Sequence, residues 1–130
     1  MVTTTATGRH GGVYLVSAAR TPIGKFGGAM AGVPAVALGG VAIRAAMERS
    51  GLPAETPVDE VLMGQVIQAG AGQAHARQAA PPGGLPVSTP ATHSKKACGC
   101  GWNADQLGYA DAHPACARED DSVGAGDVTR

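Results

Sequence analysis

Residues 58–68 have the sequence Val58-Asp-Glu-Val-Leu-Met-Gly-Gln-Val-Ile-Gln68 and form the most strand-like stretch of the chain. Apolar residues stand on both sides of Gly64, a pattern typical of a strand buried on both faces in a parallel sheet. The glycine can also hold a β-bulge. Upstream, residues 34–50 predict a helix, because Pro34 suits a first helical turn and Gly51 can adopt the left-handed conformation that ends helices. A helix followed by a buried strand predicts an α/β unit.

Further elements extend this pattern in both directions along the chain. Residues 13–17 are β-branched and aromatic, which predicts a strand. Residues 74–80 can form two helical turns before a pair of prolines, residues 85–92 are extended, and residues 104–112 can be helical. Strands that alternate with helices imply βαβ crossovers. We therefore predict an α/β fold with a mainly parallel sheet and flanking helices.

Composition limits the class of protein. The 130 residues suit one small domain. Hydrophobic residues make up 44% of the chain but aromatic residues only 3% of it, so we expect few large side chains in the core. Ten cations balance ten acids, which argues against a nucleic-acid binder held by its overall field. We see no apolar stretch of membrane-spanning length and no signal-peptide pattern, and the three cysteines do not suggest a disulfide framework. A cytoplasmic protein that binds neither nucleic acid nor membrane is expected.

Charge and composition divide the chain into three parts. Residues 1–12 are rich in Thr and Gly without periodicity, and we expect a flexible leader there. Residues 13–102 hold the predicted strands and helices. Residues 1–102 carry eight cations and four acids, whereas residues 103–130 carry two cations and six acids. We therefore predict a domain over residues 13–102 and an acidic tail over residues 103–130.

The candidate for chemistry is the segment Lys95-Lys-Ala-Cys98-Gly-Cys100-Gly-Trp102. Cys98 stands between an extended segment and a helix start, where free N–H groups and the helix dipole stabilise a thiolate. The two lysines add positive potential, and the glycines allow a substrate to approach closely. These are the requirements of a nucleophilic thiol whose neighbouring amides can also hold an oxyanion. The alternative is an incidental cysteine in a glycine-rich turn.

A zinc site is a second alternative. Cys98, Cys100, His113 and Cys116 together supply three thiols and one imidazole, which is a possible tetrahedral ligand set. Their spacing is not that of a standard zinc finger. Of the other histidines, His75 is expected to be a surface or ion-pair residue together with Arg77, and His93 has no evident partner in the sequence.

Several separated stretches resemble one family, the thiolases. Residues 13–28 are similar to the opening strand and loop of that family. Residues 58–70, with Gly72-Gln73 and Ala76-Arg-Gln78, resemble its second strand and the following turn, and residues 85–92 resemble the approach to its reactive cysteine. The resemblance covers residues 13–101, which is only the beginning of a thiolase. It implies an incomplete, thiolase-like amino-terminal domain.

The resemblance implies an acyl-CoA C-acyltransferase of the acetyl-CoA acetyltransferase type, with Cys98 as the nucleophile. The family motif usually has the sequence Asn-Lys-Val-Cys-Gly-Ser-Gly. Here Lys95 replaces the Asn, Ala97 the Val and Cys100 the Ser, and Trp102 stands where a smaller aliphatic residue is usual. A ring of that size close to the nucleophile could fill space that the acyl group needs.

In the family, the cysteine takes an acyl group from one CoA thioester and passes it to the carbanion of a second one; the reverse reaction cleaves a 3-ketoacyl-CoA. This chemistry belongs to fatty acid metabolism, uses CoA thioesters as substrates and needs no tightly bound cofactor. The activating His and the second Cys lie further downstream in the family, and neither His113 nor Cys100 and Cys116 match them. We therefore expect these 130 residues alone not to complete turnover. Family members are homodimers or homotetramers.

Two other functions stay open. The first is a non-catalytic thiolase remnant that binds a partner or dimerises. The second is the small zinc-binding protein that would use Cys98, Cys100, His113 and Cys116.

Overall fold

A computed structural model describes residues 13–112 and 125–127. Within these residues the chain forms three α-helices and three β-strands. In chain order they are α1 (Ala35–Ser50), β1 (Val61–Gly64), α2 (His75–Ala79), β2 (Ala91–Ser94), α3 (Cys100–Ala112) and β3 (Ala125–Asp127).

The three described strands form one parallel sheet in the order β2-β1-β3. Val61 pairs with Ala91, and the register continues without interruption to Gly64 opposite Ser94. On the other side of β1, Leu62 pairs with Ala125. The predicted α/β class, with a parallel sheet and flanking helices, is therefore confirmed.

Strand β1 is buried along its whole length, as its sequence predicted. Successive side chains of a strand point to opposite faces of a sheet. Val61 and Met63 join the apolar cluster on the face that carries α1 and α2, where small residues pack closely. Gly64 meets α3 on the opposite face. The central strand is thus enclosed between two helical layers. Besides Val61 and Met63, the buried members of the apolar cluster are Ala35, Val58, Ala76 and Ala80.

Helix α1 ends at Ser50 as predicted and begins at Ala35, one residue after the predicted start. Pro34 precedes it with an extended backbone (φ −59°, ψ 140°), and Gly51 follows it with φ 74°, in the left-handed region that glycine adopts without strain. Gly40 lies on the buried face of α1, where a β-carbon would stand 2.8 Å from Cβ of Pro82. The helix therefore packs directly on the turn that follows α2.

The strand predicted at residues 13–17 is wrong. These residues have no regular secondary structure, and Leu15 is 76% exposed. They lie along α1, where Ser17 Oγ donates a hydrogen bond to the carbonyl of Ala46 (2.7 Å). A β-branched run forms a strand only when a neighbouring strand pairs with its backbone. Here the contacts to α1 replace that pairing.

Other boundaries differ from the predicted ones by a few residues. The central strand is shorter than residues 58–68, and the extended segment predicted at residues 85–92 becomes a strand only at Ala91–Ser94. Helix α3 begins at Cys100 rather than at Ala104. The bulge considered at Gly64 does not form, because the register of β1 against β2 is continuous.

Some predictions fall outside the described residues. These are the leader at residues 1–12, and His113 and Cys116 of the zinc set. The boundary placed after Trp102 falls within α3, and it stays a prediction. In the part of the chain that the structure describes, no helix is both long and apolar enough to cross a membrane.

Candidate functional site

The candidate nucleophile lies in the short connection from β2 to α3. Strand β2 ends at Ser94 and α3 begins at Cys100, so Cys98 stands just beyond the carboxyl end of a parallel strand. This edge of an open α/β sheet is where ligands usually bind. The side chain of Cys98 is exposed and its thiol is free. The structure therefore places Cys98 where the sequence predicted it, between an extended segment and a helix start.

A tight turn sets the position of Cys98. The N–H of Gly99 donates to the carbonyl of Lys96 (2.9 Å), which closes the turn around Ala97 and Cys98. Ala97 has φ 45°, in the left-handed region that costs an L-residue about 1–2 kcal/mol. Backbone strain of this kind is often found at functional sites. The exposed thiol thus sits directly after a strained residue.

Cys100 has a different environment from Cys98. It is completely buried, and its Sγ accepts a hydrogen bond from the N–H of Lys96 (3.0 Å) while donating one to the carbonyl of Ala97 (2.9 Å). These two bonds tie the first residue of α3 back to the turn. Cys100 therefore supports the loop, whereas Cys98 presents its thiol to solvent.

The start of α3 is held against the sheet by close contacts. Ser94 Oγ donates a hydrogen bond to the carbonyl of Cys100 (3.0 Å). On β1, a β-carbon at Gly64 would lie 2.5 Å from the carbonyl carbon of Cys100. Only glycine fits this distance. The Cys98 loop is consequently anchored to both β1 and β2.

Positive charges lie close to Cys98 along the chain. Lys95 and Lys96 are exposed neighbours of Cys98, and the amino end of α3, which carries the positive end of the helix dipole, follows it by two residues. The first turn of a helix also presents N–H groups that lack intrahelical partners. This arrangement can stabilise a developing oxyanion.

The surroundings of the Cys98 thiol contain no hydrogen-bonded acid or base among the described residues. Among them, no hydrogen bond joins the thiol of Cys98 to an imidazole or a carboxylate. Trp102 is 69% exposed and lines an open surface cavity together with Asp105, Gln106 and Tyr109. Cys98 does not line that cavity. Among the residues that the structure describes, the exposed thiol of Cys98 therefore has positive charges near it in sequence but no hydrogen-bonded base.

Comparison with known proteins identifies the family. Residues 13–111 match the model of the thiolase amino-terminal domain. The chain belongs to the thiolase family. The acetyl-CoA acetyltransferase of Cupriavidus necator is 55% identical over 95 residues, which are 73% of this chain and 24% of that protein. The mitochondrial acetyl-CoA acetyltransferase of Danio rerio is 46% identical over 114 residues, which are 88% of this chain and 26% of that protein.

A solved thiolase structure agrees with this assignment. The Acat5 thiolase of Ascaris suum, determined in complex with coenzyme A, superimposes with a TM-score of 0.64 at 35% identity. The match covers 74% of this chain and 27% of the solved one. The present thiolase chain therefore spans about a quarter of the length of the relatives it matches.

The zinc set is not assembled within the described residues of this thiolase chain. No group of three His, Cys, Asp or Glu side chains able to hold a metal ion occurs in the described ranges, and His113 and Cys116 lie outside them. Cys98 is exposed, whereas Cys100 is buried with both of its hydrogen bonds made to the backbone. The four-residue zinc site stays a prediction.

Sequence reasoning missed one buried polar residue. His75 was expected at the surface, but it is only 6% exposed, and neither of its ring nitrogens has a hydrogen-bond partner. The available signal was the helical spacing of His75 and Ala79, which places both on one face of α2, and both are buried. Arg77 also differs from the prediction: its Nη1 donates to the carbonyl of buried Thr89 (2.7 Å) instead of forming an ion pair.

Proposed function

We propose that this chain carries the nucleophile of a thiolase that transfers acyl groups between CoA thioesters, and that Cys98 forms the acyl thioester. The observation that carries the proposal is the exposed thiol of Cys98 in the loop between β2 and α3, inside the segment that matches the family. The names of the relatives support acetyl-CoA as the acyl donor, and the coenzyme A complex of the Ascaris suum thiolase supports CoA recognition.

The proposed first step uses the exposed thiol of the Cys98 loop. The Cys98 thiolate attacks the carbonyl carbon of acetyl-CoA, a C–S bond to Sγ forms, and the CoA thiolate leaves with the electrons of the broken C–S bond. The oxygen of the tetrahedral intermediate carries the negative charge. The lysines beside Cys98 and the amino end of α3 supply positive potential for it.

The second step needs groups that these residues do not provide. Forming acetoacetyl-CoA requires a base that removes a proton from the methyl carbon of a second acetyl-CoA, and the carbanion then displaces Sγ of Cys98 from the acyl group. The family supplies this chemistry from a downstream His and a second Cys, which have no match in the sequence. We infer that the 130 residues alone stop after the acyl-thioester stage.

Acetylation of the intact chain tests this function. The purified 130-residue protein would be incubated with radiolabelled acetyl-CoA, and labelled peptides would be located by mass spectrometry. We expect label on Cys98, loss of label in Cys98→Ala, and retention of label in the matched control Cys116→Ala. No acetoacetyl-CoA is expected. Label that persists in Cys98→Ala would show that another residue is the acceptor. Formation of acetoacetyl-CoA by the 130 residues would contradict the inference that they stop after the acyl-thioester stage.

A non-catalytic remnant that binds a partner or dimerises is the second candidate function. It is favoured by large apolar side chains that are exposed in the segment before α1: Leu15 at 76%, Ile23 at 87% and Phe26 completely exposed. Apolar surface of this kind marks interaction sites. A folded chain that sediments as a dimer and takes no label from acetyl-CoA would support this function over the acyltransferase. Homodimeric or homotetrameric assembly of the complete enzyme is part of the same proposal.

Other aspects of the function stay predictions. The chain-length preference and the biosynthetic or degradative direction are open, and a role in fatty acid metabolism is a proposal. The cytoplasmic location is also a proposal, because several of the related acetyl-CoA acetyltransferases are mitochondrial by name. The zinc-binding alternative at Cys98, Cys100, His113 and Cys116 has no observation in its favour among the described residues.

A further inference from the structure

Two free thiols stand two residues apart at the start of α3. Cys98 is exposed, Cys100 is completely buried, and Gly99 between them has no side chain. The acyl transfer proposed above uses the thiol of Cys98 alone, and the thiolase motif usually has Ser at the position of Cys100. Cys100 therefore gives this chain a second thiol beside the candidate nucleophile, and acyl transfer leaves that thiol unused.

Two hydrogen bonds hold the buried sulfur close to Cys98. Sγ of Cys100 lies 2.9 Å from the carbonyl oxygen of Ala97 and 3.0 Å from the amide nitrogen of Lys96. In a trans peptide, the carbonyl oxygen of one residue is about 2.8 Å from Cα of the next residue. Sγ of Cys100 is therefore within about 5.7 Å of Cα of Cys98, whichever way the bonds are oriented.

This spacing allows a disulfide after a local movement. Disulfide-bonded cysteines usually have Cα atoms about 4.4–6.8 Å apart, and two residues of chain span at most about 7 Å. The exposed side chain of Cys98 can rotate about its Cα–Cβ bond, whereas Cys100 has to leave its two hydrogen bonds. The groups that must move thus belong to one turn, residues 96–100.

The rest of the fold can remain in place when the turn rearranges. The contacts that hold the start of α3 on the sheet involve the backbone of Cys100: Ser94 Oγ donates to its carbonyl, and Gly64 lies against its carbonyl carbon. Neither contact uses the sulfur. A disulfide across so short a loop is strained, and strained disulfides are readily reduced again. The geometry therefore suits a reversible bond rather than a structural one.

We propose that Cys98 and Cys100 form a reversible redox pair, in which hydrogen peroxide oxidises Cys98 and Cys100 then closes a disulfide with it. Redox-sensing cysteines are typically exposed and stand next to a second cysteine that resolves the sulfenic acid. The disulfide prevents further oxidation of Cys98 to sulfinic acid, which is irreversible for most proteins. Its formation does not depend on acyl transfer; only its effect, the blocking of acetylation at Cys98, rests on the proposed function.

The chemistry balances with hydrogen peroxide as the oxidant. Sγ of Cys98 attacks one peroxide oxygen, an S–O bond forms, the O–O bond breaks, and one water molecule leaves. Sγ of Cys100 then displaces the hydroxyl group of the sulfenic acid, so that the S–S bond forms and the S–O bond breaks. The proton of the Cys100 thiol leaves in a second water molecule. The two sulfurs together lose two electrons, which the peroxide takes up.

Peroxide treatment of the 130-residue protein tests the redox pair. The protein would be reduced, freed of reductant, treated with equimolar hydrogen peroxide and digested without reduction. A protease that cleaves before aspartate is needed, because cleavage before Asp105 separates Cys116 from the other two cysteines. We expect the peptide that contains Cys98 and Cys100 to be lighter by two hydrogen atoms, and dithiothreitol to restore its mass.

The matched variant is Cys100→Ser, which restores the usual serine of the motif and keeps a group that can bond to Lys96 and Ala97. In this variant no disulfide is expected, dimedone should trap a sulfenic acid at Cys98, and sulfinic acid should accumulate there at least about tenfold faster than in the unmodified chain. Cys116→Ser is the control for the third cysteine, and it should form the disulfide as the unmodified chain does.

Three results would overturn the proposal. They are peroxide treatment that leaves both thiols reduced, sulfinic acid that forms at Cys98 equally fast with and without Cys100, and a disulfide that joins Cys98 to Cys116 or to a second copy of the chain. Labelling of the reduced protein with radiolabelled acetyl-CoA tests the acyltransferase separately. A chain that forms the Cys98–Cys100 disulfide but takes no label when reduced would support the redox pair and contradict the acyltransferase.

Discussion

Gly64 of the central strand and Cys100 at the start of α3 are in direct backbone contact. A β-carbon at position 64 would lie 2.5 Å from the carbonyl carbon of Cys100 and 2.7 Å from its Cβ. This contact brings the amino end of α3 down onto the sheet, and Ser94 Oγ holds the same carbonyl of Cys100 from β2. The position of the Cys98 turn therefore depends on a residue 34 positions earlier in the chain that has no functional group.

Gly64→Ala should be destabilising. The added methyl group cannot be accommodated without moving α3, and overpacking of this kind typically costs about 1–3 kcal/mol. The free energy of unfolding, measured by urea denaturation, should fall by that amount. Gly32→Ala is the matched control, because a β-carbon at Gly32 would meet nothing within 4 Å. Equal stability of the two variants would contradict the close approach of Gly64 and Cys100.

The two cysteines of the loop should differ in reactivity towards alkylating reagents. Cys98 is exposed, whereas Cys100 is completely buried and reacts only when the loop opens. Under native conditions, iodoacetamide should modify Cys98 at least about tenfold faster than Cys100, as read from peptide mass spectrometry. In urea the two rates should become similar. Faster native alkylation of Cys100 would mean that the buried and exposed positions are interchanged.

Replacements of Cys100 test whether its thiol supports the loop. Cys100→Ala removes the partner of the Lys96 N–H, and the loss of one part-buried hydrogen bond costs about 0.5–1.5 kcal/mol. Cys100→Ser keeps a group that can accept from Lys96 and donate to the carbonyl of Ala97, so it should lose less stability than the alanine variant. Thermal unfolding followed by circular dichroism provides the comparison. A serine variant less stable than the alanine variant would argue that Cys100 acts only by filling space.

The local signals of the sequence predicted the elements whose ends are defined by backbone chemistry. Pro34 directly precedes α1 and Gly51 directly follows it. The run of apolar residues around Gly64 contains the buried central strand. The position of Cys98 before a helix also followed from the order of an extended segment, a glycine-rich turn and a helix. Each of these features depends on residues close together in sequence.

Features that depend on distant residues could not be predicted in the same way. Residues 13–17 have the composition of a strand, but their contacts are with α1, where Ser17 bonds to Ala46. The helical spacing of His75 with Ala79 was a usable sign of burial, yet the meeting of His75 with His93 depends on the register of β2 against β1. The two hydrogen bonds of Cys100 to the turn depend on the left-handed conformation of Ala97, for which an alanine gives no signal.

The left-handed conformation of Ala97 predicts that glycine at this position does not lower the stability, although replacing alanine by glycine usually does. Alanine at φ 45° is strained, and glycine at the same φ is not, so Ala97→Gly should relieve about 1 kcal/mol of strain. The gain is reduced by the greater backbone entropy of glycine in the unfolded chain, so we expect no loss of stability or a small increase. The matched control is Ala110→Gly on the exposed surface of α3, which should lose about 1 kcal/mol because glycine is a poor helix former. Urea denaturation of both variants measures the difference, and a loss at position 97 as large as that at position 110 would show that Ala97 is not strained in the folded chain.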